Sequence, residues 1–408
     1  MGLRKLPKST RKKPRTAKPK SRGVSQCGEA STSTDSSKYV SMDSELWCML
    51  PEDVMNRVLA WLPIPSLFQM RSVCKRWRSA IVSPPFLNMH AEILSKHSPF
   101  LLFPSVGDSL LYAAFDPSVG EWQPMPPMSF LPPEVKFVEG VAGGLVFFSV
   151  EAHFHPVKLY VCNPLTKSWR QLPQMSHRRT PIFRHMVVDE AAQTYKIVVA
   201  GNADVYSNRN GYHRYLNTEV YDSVTGTWTE TGSIPSRFDP SWSSAECNGI
   251  LYCMVNEAEA VNHSLGVITY NMENGQWSDY FNQLPEGFSL AQVVECGGQV
   301  LMVAERYFNG NVKNIHILRL EVDTNEWTEI AKLPRKILLE FRRLCEEDSY
   351  NCTAQKRKIY LTSSKSMDVL VYDVSEQSWE WMPKCPFSDE GDTRAVGFSY
   401  SPSLSATV

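Results

Sequence analysis

The chain has 408 residues, 43% hydrophobic and 21% charged, and a formal net charge of −1, which is typical of a folded globular protein of two or three domains. No run reaches the roughly 18 apolar residues of a membrane span. The charged, proline-rich N-terminus is unlike a secretory signal peptide, and the ten cysteines lack the CxxC spacing of a zinc site. We therefore expect reduced, mostly buried thiols in a protein of the nucleus, the cytoplasm or both, with no membrane partner and no metal.

Residues 1–42 form a basic segment that is almost free of large apolar side chains. They hold eleven Lys or Arg and two acids, so the rest of the chain carries about ten negative charges. Such a segment cannot bury enough apolar surface to offset the entropy of ordering, which predicts a disordered tail. Its densest basic run, Arg11 to Arg15, fits an acidic importin groove, and nuclear targeting and a solvated basic tail remain equal alternatives.

Apolar periodicity predicts three short helices between residues 45 and 88. The first opens at Leu50-Pro51, because proline in a first turn loses no hydrogen bond, and Val54, Val58 and Leu62 then follow on one face. Two further helices are predicted after Pro63 and Pro65, with apolar positions Leu67, Met70, Val73, Cys74, Trp77, Ala80 and Ile81 and an end at Ser83-Pro84-Pro85. Such a small core is marginal by itself, so this segment needs a partner or a neighbouring domain.

From Phe100 onward, short runs of β-branched and aromatic residues alternate with turns, which predicts an all-β domain. The predicted strands are 110–115, 144–150, 196–200, 250–255, 300–304 and 358–362. One helix is predicted among them, from Arg335 to Cys345.

A repeat of 47 to 59 residues runs through this region, marked by Trp122, Trp169, Trp228, Trp277, Trp327 and Trp379. Each Trp follows a strand and a turn, and an apolar-Pro or Met-Pro step comes within eight residues after it. An Asp or Asn before the turn can accept hydrogen bonds from the turn amides, and the Trp can pack against the adjacent sheet. Six such units predict a six-bladed propeller.

The period near fifty and the glycine pairs Gly143-Gly144 and Gly297-Gly298 indicate a degenerate kelch repeat. The first unit is too short for four strands, so we predict that a strand near 394–400 completes it and joins the chain ends. The predicted fold is a basic tail (1–42), a small all-α domain (45–88), a linker (89–99) and an all-β six-bladed propeller (100–408).

Residues 50–54, 58–59, 62–63, Leu67, the run from Arg71 to Arg78 and Phe86 strongly resemble an F-box. The domain order, over roughly residues 45–401, is similar to that of plant F-box/kelch-repeat proteins. The resemblance implies a non-catalytic substrate-recognition subunit of an SCF-type E3 ubiquitin ligase. Its F-box would bind a Skp1-type adaptor, and through it cullin and RING subunits, while the propeller binds a target protein for ubiquitination.

The adaptor-binding residues that the resemblance implies are Leu50, Pro51, Val54, Val58, Leu62, Pro63, Leu67, Val73, Cys74, Lys75 and Trp77. Among them we expect Leu50 and Pro51 to contact the adaptor. Val73, Cys74 and Trp77 are expected to belong to the F-box core.

Target binding is expected on long loops at one propeller face. The connection 201–217 is the first candidate, with the aromatic and basic residues Tyr206, Arg209, Tyr212, His213 and Arg214, although a plain surface hairpin is the favoured interpretation of it. The connections 256–264 and 305–314 are the next longest.

Motifs of hydrolases, nucleotide-binding proteins and zinc proteases are missing from the sequence, so no catalytic residue and no cofactor is expected. His153 and His155 have the spacing of a two-histidine metal site, but an exposed strand pair is favoured because no third ligand is placed by sequence. Two other hypotheses remain open. One is a nuclear scaffold whose tail binds nucleic acid, a partner that we do not expect, and the other is a kelch-propeller enzyme.

Overall fold

The computed structural model describes residues 49–62, 67, 70, 72–94, 99–104, 110–117, 119–150, 157–176, 179–203, 216–257, 264–308, 311–345, 350–363, 365–387 and 395–408. The predicted tail, both histidines of the pair at 153 and 155, and the connection 204–215 lie outside these residues. Two compact units divide the chain after Leu50, and only Met49 and Leu50 of the first are described.

Among the described residues ahead of the strands, three helices have defined bounds: α1 (Glu52–Ala60), α2 (Lys75–Ile81) and α3 (Pro84–Leu94). They pack around a small core that includes Met55, Leu59, Ile81, Phe86 and His90. The helix with Trp77 ends before Ser83, as predicted, but the sequence does not predict α3, which begins at Pro84 and continues through residues 89–94 of the expected linker. The two prolines occupy its first turn, where a fixed φ favours the helix and the missing N–H costs nothing.

Twenty-five strands follow in the described part of the chain. The first sheet contains β1 (Phe100–Pro104), β2 (Tyr112–Asp116) and β3 (Glu121–Met125). The second contains β4 (Phe137–Ala142), β5 (Leu145–Val150), β6 (Lys158–Asn163) and β7 (Ser168–Gln171). The third contains β8 (Arg179–Asp189), β9 (Thr194–Ala203), β10 (Leu216–Asp222) and β11 (Thr227–Glu230).

The fourth sheet contains β12 (Phe238–Cys247), β13 (Ile250–Glu257), β14 (Leu265–Asn271) and β15 (Gln276–Trp277), and β16 (Asn282–Gln283) also pairs with β14. The fifth contains β17 (Phe288–Glu295), β18 (Val300–Phe308), β19 (Asn311–Glu321) and β20 (Glu326–Lys332). Helix α4 (Arg335–Leu344) comes next, as the sequence predicts. The sixth sheet contains β21 (Tyr350–Gln355), β22 (Lys358–Ser363), β23 (Val369–Asp373) and β24 (Ser378–Trp381), and β25 (Ala395–Ser399) ends the series.

These sheets are the six blades of a propeller, which confirms the predicted architecture. Strand β25 pairs antiparallel with β1, from Phe100 opposite Ser399 to Pro104 opposite Ala395, so the C-terminal strand is the inner strand of blade one. Six hydrophobic clusters each combine side chains from two adjacent blades. At the seam between blades six and one, the rings of Phe100 and Tyr360 stack with centroids 4.5 Å apart. The apolar core is therefore distributed around the ring between the blades.

The turn before each repeat tryptophan has the predicted hydrogen bonds in four blades. Asn163 Oδ1 accepts the amide of Leu165 at 2.9 Å, and Asp373 Oδ1 accepts that of Ser375 at 2.9 Å. Asp222 and Asn271 make the same contact. An acidic or amide side chain at this position thus holds the turn in place.

Three tryptophans among the described residues link neighbouring blades through their indole N–H groups: Trp277 donates to Thr218 Oγ1 at 2.8 Å, and the other two donate to proline carbonyls. Trp122 donates to the carbonyl of Pro383 at 2.6 Å, and Trp228 donates to the carbonyl of Pro173 at 2.8 Å. Each of these two proline acceptors is the proline step of the preceding blade. The Trp and Pro positions of the repeat therefore form a contact across the seam between blades.

Candidate functional site

Helix α1 has two apolar faces. Met55 and Leu59 are fully buried in the helical core. On the other side, Val54 is 40% exposed, Val58 39% and Trp61 58%. Because positions i, i+4 and i+7 share a helix face, these three side chains form one exposed apolar stripe. A small helical segment that leaves such a stripe in water is suited to binding a partner.

The start of α1 is well defined. Pro51 is exposed, and its carbonyl accepts the amide of Met55 at 3.0 Å. Glu52 and Asp53 occupy the first turn, where the helix dipole favours negative charge. Leu50 and Leu62 are half-buried, and Pro63 lies outside the described residues.

The other predicted adaptor-binding residues divide between surface and core. Leu67 is buried, Trp77 is half-buried and Lys75 is exposed. The expectation that Val73 and Cys74 are core residues is wrong, since both are exposed.

Cys74 lies at the surface as a helix cap. Cys74 is the N-cap of α2, with extended backbone at φ −156° and ψ 163°, and its Sγ accepts the amide of Trp77 at 3.4 Å. Here the capping side chain turns back towards the first turn of its own helix and remains in solvent.

Sequence reasoning missed three exposed apolar residues of this segment, Met49, Trp61 and Val82. A helical projection shows Trp61 three residues after Val58, on the same face. Val82 is the C-cap of α2, and its exposure has no comparable signal in the sequence.

A cavity of about 340 Å³ lies inside the propeller and is lined by the inner strands of all six blades. Its walls include Glu139, His185, Trp242, Asn351 and Phe398. Because every inner strand contributes, this cavity is the central channel of the ring.

The channel contains a compact polar cluster with no net charge. Arg184 Nη1 lies 3.0 Å from Glu139 Oε1, with both side chains largely buried, and Ser149 Oγ donates to the same carboxylate oxygen. His185 Nδ1 lies 2.8 Å from Ser244 Oγ. Burial lowers the pKa of His185 to about 4, so this ring is neutral at physiological pH.

The described residues contain no cluster of three or more His, Cys, Asp or Glu side chains that could hold a metal ion. Burial raises the pKa of the Cys352 thiol in the channel wall, so it stays protonated, and its Sγ lies 3.3 Å from Gln292 Oε1.

None of the helices in the described part of the chain is long and apolar enough to cross a membrane.

The predicted target-binding residues Tyr206, Arg209, Tyr212, His213 and Arg214 all lie outside the described residues. The two other candidate connections, 256–264 and 305–314, are described only in part.

Comparison with known proteins agrees with both parts of the fold. Residues 124–393 match the family model described as F-box protein At3g26010-like, beta-propeller, and residues 47–89 match the F-box domain. Protein UNUSUAL FLORAL ORGANS of Arabidopsis thaliana is 27% identical over 90% of this chain and 87% of its own length. Two other proteins of that plant are also similar. F-box/kelch-repeat protein At3g61590 is 26% identical over 89% of this chain and 90% of its own, and SKP1-interacting partner 15 is 23% identical over 88% and 98%. The chain thus belongs to the F-box protein At3g26010-like β-propeller family and has an F-box ahead of its propeller.

Proposed function

We propose that this protein is the substrate-recognition subunit of an SCF-type ubiquitin ligase. Its F-box helices bind a Skp1-type adaptor, which connects it to cullin and RING subunits, and its propeller binds a protein target for ubiquitination. The observation that carries the proposal is the exposed stripe of Val54, Val58 and Trp61, on a helix whose opposite face is already buried.

The energetics of this stripe suit a stable interface. Burying the part of Val54, Val58 and Trp61 that is still exposed contributes roughly 25 cal/mol per Å² of apolar surface, against the entropy lost on association. A central tryptophan is also a frequent hot spot of protein interfaces. The names of similar proteins, among them SKP1-interacting partner 15, support the same partner.

The test replaces both valines of the stripe, Val54→Glu with Val58→Glu. Two carboxylates would have to be desolvated at an apolar interface, so adaptor affinity is expected to fall at least about tenfold, or about 1.4 kcal/mol. Co-purification and titration with a recombinant Skp1-type adaptor measure the loss.

The matched control is Val224→Glu with Val322→Glu, since these valines are also exposed but lie on propeller turns. The control protein should bind the adaptor as the wild type does. A folded Val54/Val58 variant that still binds the adaptor would refute the proposed contact surface.

A further inference from the structure

Four successive inner strands of the propeller are interrupted by β-bulges. An extra residue, Glu139, interrupts the pairing of β4 with β5, and Ile182 interrupts that of β8 with β9. In β12 the three residues 241–243 face one residue of β13, and in β17 Leu290 and Ala291 face one residue of β18. The described pairings of the other two inner strands, β21 and β25, are continuous.

All four bulges lie nearer the start of their strands than the end. Because each inner strand begins where the chain arrives from the preceding blade, the starts of all inner strands lie at one end of the channel. Bulges bend a strand and redirect its side chains, and they are frequent beside binding sites. This end of the channel is therefore shaped differently from the other.

Two large apolar side chains in these bulges remain in solvent. Trp242 is 61% exposed in the channel wall, and Leu290 is 51% exposed on the neighbouring inner strand. Leu290 also has φ +43°, a left-handed conformation that costs a residue with a Cβ roughly 1–2 kcal/mol. Strain of this kind persists only where the surrounding structure enforces it.

Hydrogen bonds hold the bulges of β12 and β17 in place. Ser243 Oγ accepts the amide of Val293 at 2.9 Å, which ties β12 to β17. The Gln292 side chain donates to the carbonyl of Tyr350 at 2.6 Å and accepts the amide of Cys352 at 2.9 Å, which ties β17 to β21. The exposed Trp242 and Leu290 therefore stand on a rigid, preformed frame.

The channel itself limits what can enter it. A volume of about 340 Å³ is near the lower end of the roughly 300–1,000 Å³ of ligand pockets, which suits one large side chain. The Glu139–Arg184 pair has no net charge, so a charged group would lose its hydration without an opposite charge to compensate it. The exposed indole of Trp242 offers a face on which an aromatic ring can stack.

We propose that the bulged end of the channel binds a protein segment through an uncharged aromatic side chain, which enters the cavity beside Trp242 while Leu290 packs at the rim. As the recognition site for a ubiquitination target, this surface rests on the proposed function. The binding itself needs no adaptor.

The experiment titrates the full-length protein with blocked five-residue probe peptides of sequence Ser-Gly-Xaa-Gly-Ser, in which Xaa is Trp, Tyr, Asp or Lys. The Trp and Tyr peptides should bind the wild type at least roughly fivefold more tightly than the Asp and Lys peptides. Trp242→Ala should weaken their binding by a similar factor, because one aromatic pair is removed. The matched control is Trp169→Ala, which removes an exposed tryptophan from the outer strand β7. This variant should bind all four peptides with the affinities of the wild type.

Equal binding of all four peptides, or binding that survives Trp242→Ala, would overturn the proposal. Free indole binding as tightly as the Trp peptide would also overturn it, because the occupant would then be a small molecule. Adaptor binding of Trp242→Ala separates the two proposals. That variant should keep the adaptor, and the Val54/Val58 variant should keep the peptides, so either site can fail alone.

Discussion

Each blade turns into its outer strand through the same backbone conformation, two residues before the repeat tryptophan. The φ angles there are +72°, +61°, +69°, +70°, +56° and +50° in chain order, at Gly120, Lys167, Gly226, Gly275, Asn325 and Gln377. Three blades thus have glycine at this position and three have a residue with a Cβ. Only glycine adopts this conformation without a steric cost.

This difference predicts opposite effects of two substitutions on stability. Gly226→Ala should lower the free energy of unfolding by roughly 1 kcal/mol, since a Cβ there meets no neighbouring atom and only the backbone cost remains. Gln377→Gly should raise it by a few tenths to about 1 kcal/mol, because relief of the left-handed strain exceeds the added entropy of the unfolded chain. Urea denaturation measures both changes, and a loss of stability in Gln377→Gly would contradict the argument.

The sequence predicts some of this turn and misses the rest. The Asp or Asn that accepts the turn amides is visible as a repeated residue type, and so is the tryptophan. The positive φ of Lys167 and Gln377 is not visible in the sequence, because neither residue type favours that conformation. Only the repeat, by aligning them with Gly226, carries that information.

At the scale of elements, strand content is predictable because each blade presents the same apolar runs in the same order. The start of α3 cannot be predicted from the sequence, because Ser-Pro-Pro can end one helix or begin another. The bulges of β12 and β17 are also unpredictable, since a bulge depends on the register between two strands. The proposed channel site is therefore visible only in the structure.

Helix α3 places His90 in the helical core, where its ring stacks on Phe86 at 5.6 Å. Its Nε2 atom is buried and has no hydrogen-bond partner among the described residues. Burial lowers the pKa of His90 from 6.5 to about 4. The unfolded chain therefore binds this proton more readily than the folded chain does.

This pKa shift predicts that the F-box helices lose stability in mild acid. The contribution of the neutral His90 ring to the free energy of unfolding is fully present above pH 6.5. It is lost as the pH falls towards 4, at up to about 1.4 kcal/mol per pH unit. His90→Phe keeps the stacked ring and removes the titration. Between pH 7.5 and 5, its free energy of unfolding should gain about 2 kcal/mol relative to the wild type. Urea denaturation of both proteins at the two pH values measures this difference. If the free energy of unfolding changes equally with pH in both proteins, His90 does not have this role.

At the scale of the whole molecule, ring closure extends beyond the pairing of β25 with β1. The C-terminal segment, residues 400–408, continues from blade one to blades two and three. Tyr400 is buried, and Ala406 belongs to the cluster between blades two and three. Ser405 Oγ donates to Gln193 Oε1 at 2.9 Å, in the first hairpin of blade three. The last residues thus fasten three blades together.

Asn163 is the anchor of this segment in blade two. It is fully buried, and its Nδ2 donates to the carbonyls of Ser403 and Ala406 at 2.8 and 2.9 Å. Its Oδ1 holds the turn through the amides of Leu165 and Thr166. All the hydrogen-bonding capacity of this amide is used, so neither end of the side chain can be replaced without loss.

Asn163→Asp is therefore expected to be destabilising although it is nearly isosteric. The carboxylate keeps the two turn contacts but places a negative oxygen against two carbonyls, which should cost about 3 kcal/mol or more at pH 7. Burial and these carbonyls raise the folded pKa of the new aspartate above its unfolded value near 3.9. The protonated acid can donate to one carbonyl, so part of the stability should return below pH 4 and be lost as the pH rises through the folded pKa. Urea denaturation of Asn163→Asp and Asn163→Ala from pH 7 to 3.5 measures this recovery as the difference between their free energies of unfolding. An Asp variant as stable as the wild type at pH 7 would show that the C-terminal segment does not depend on Asn163.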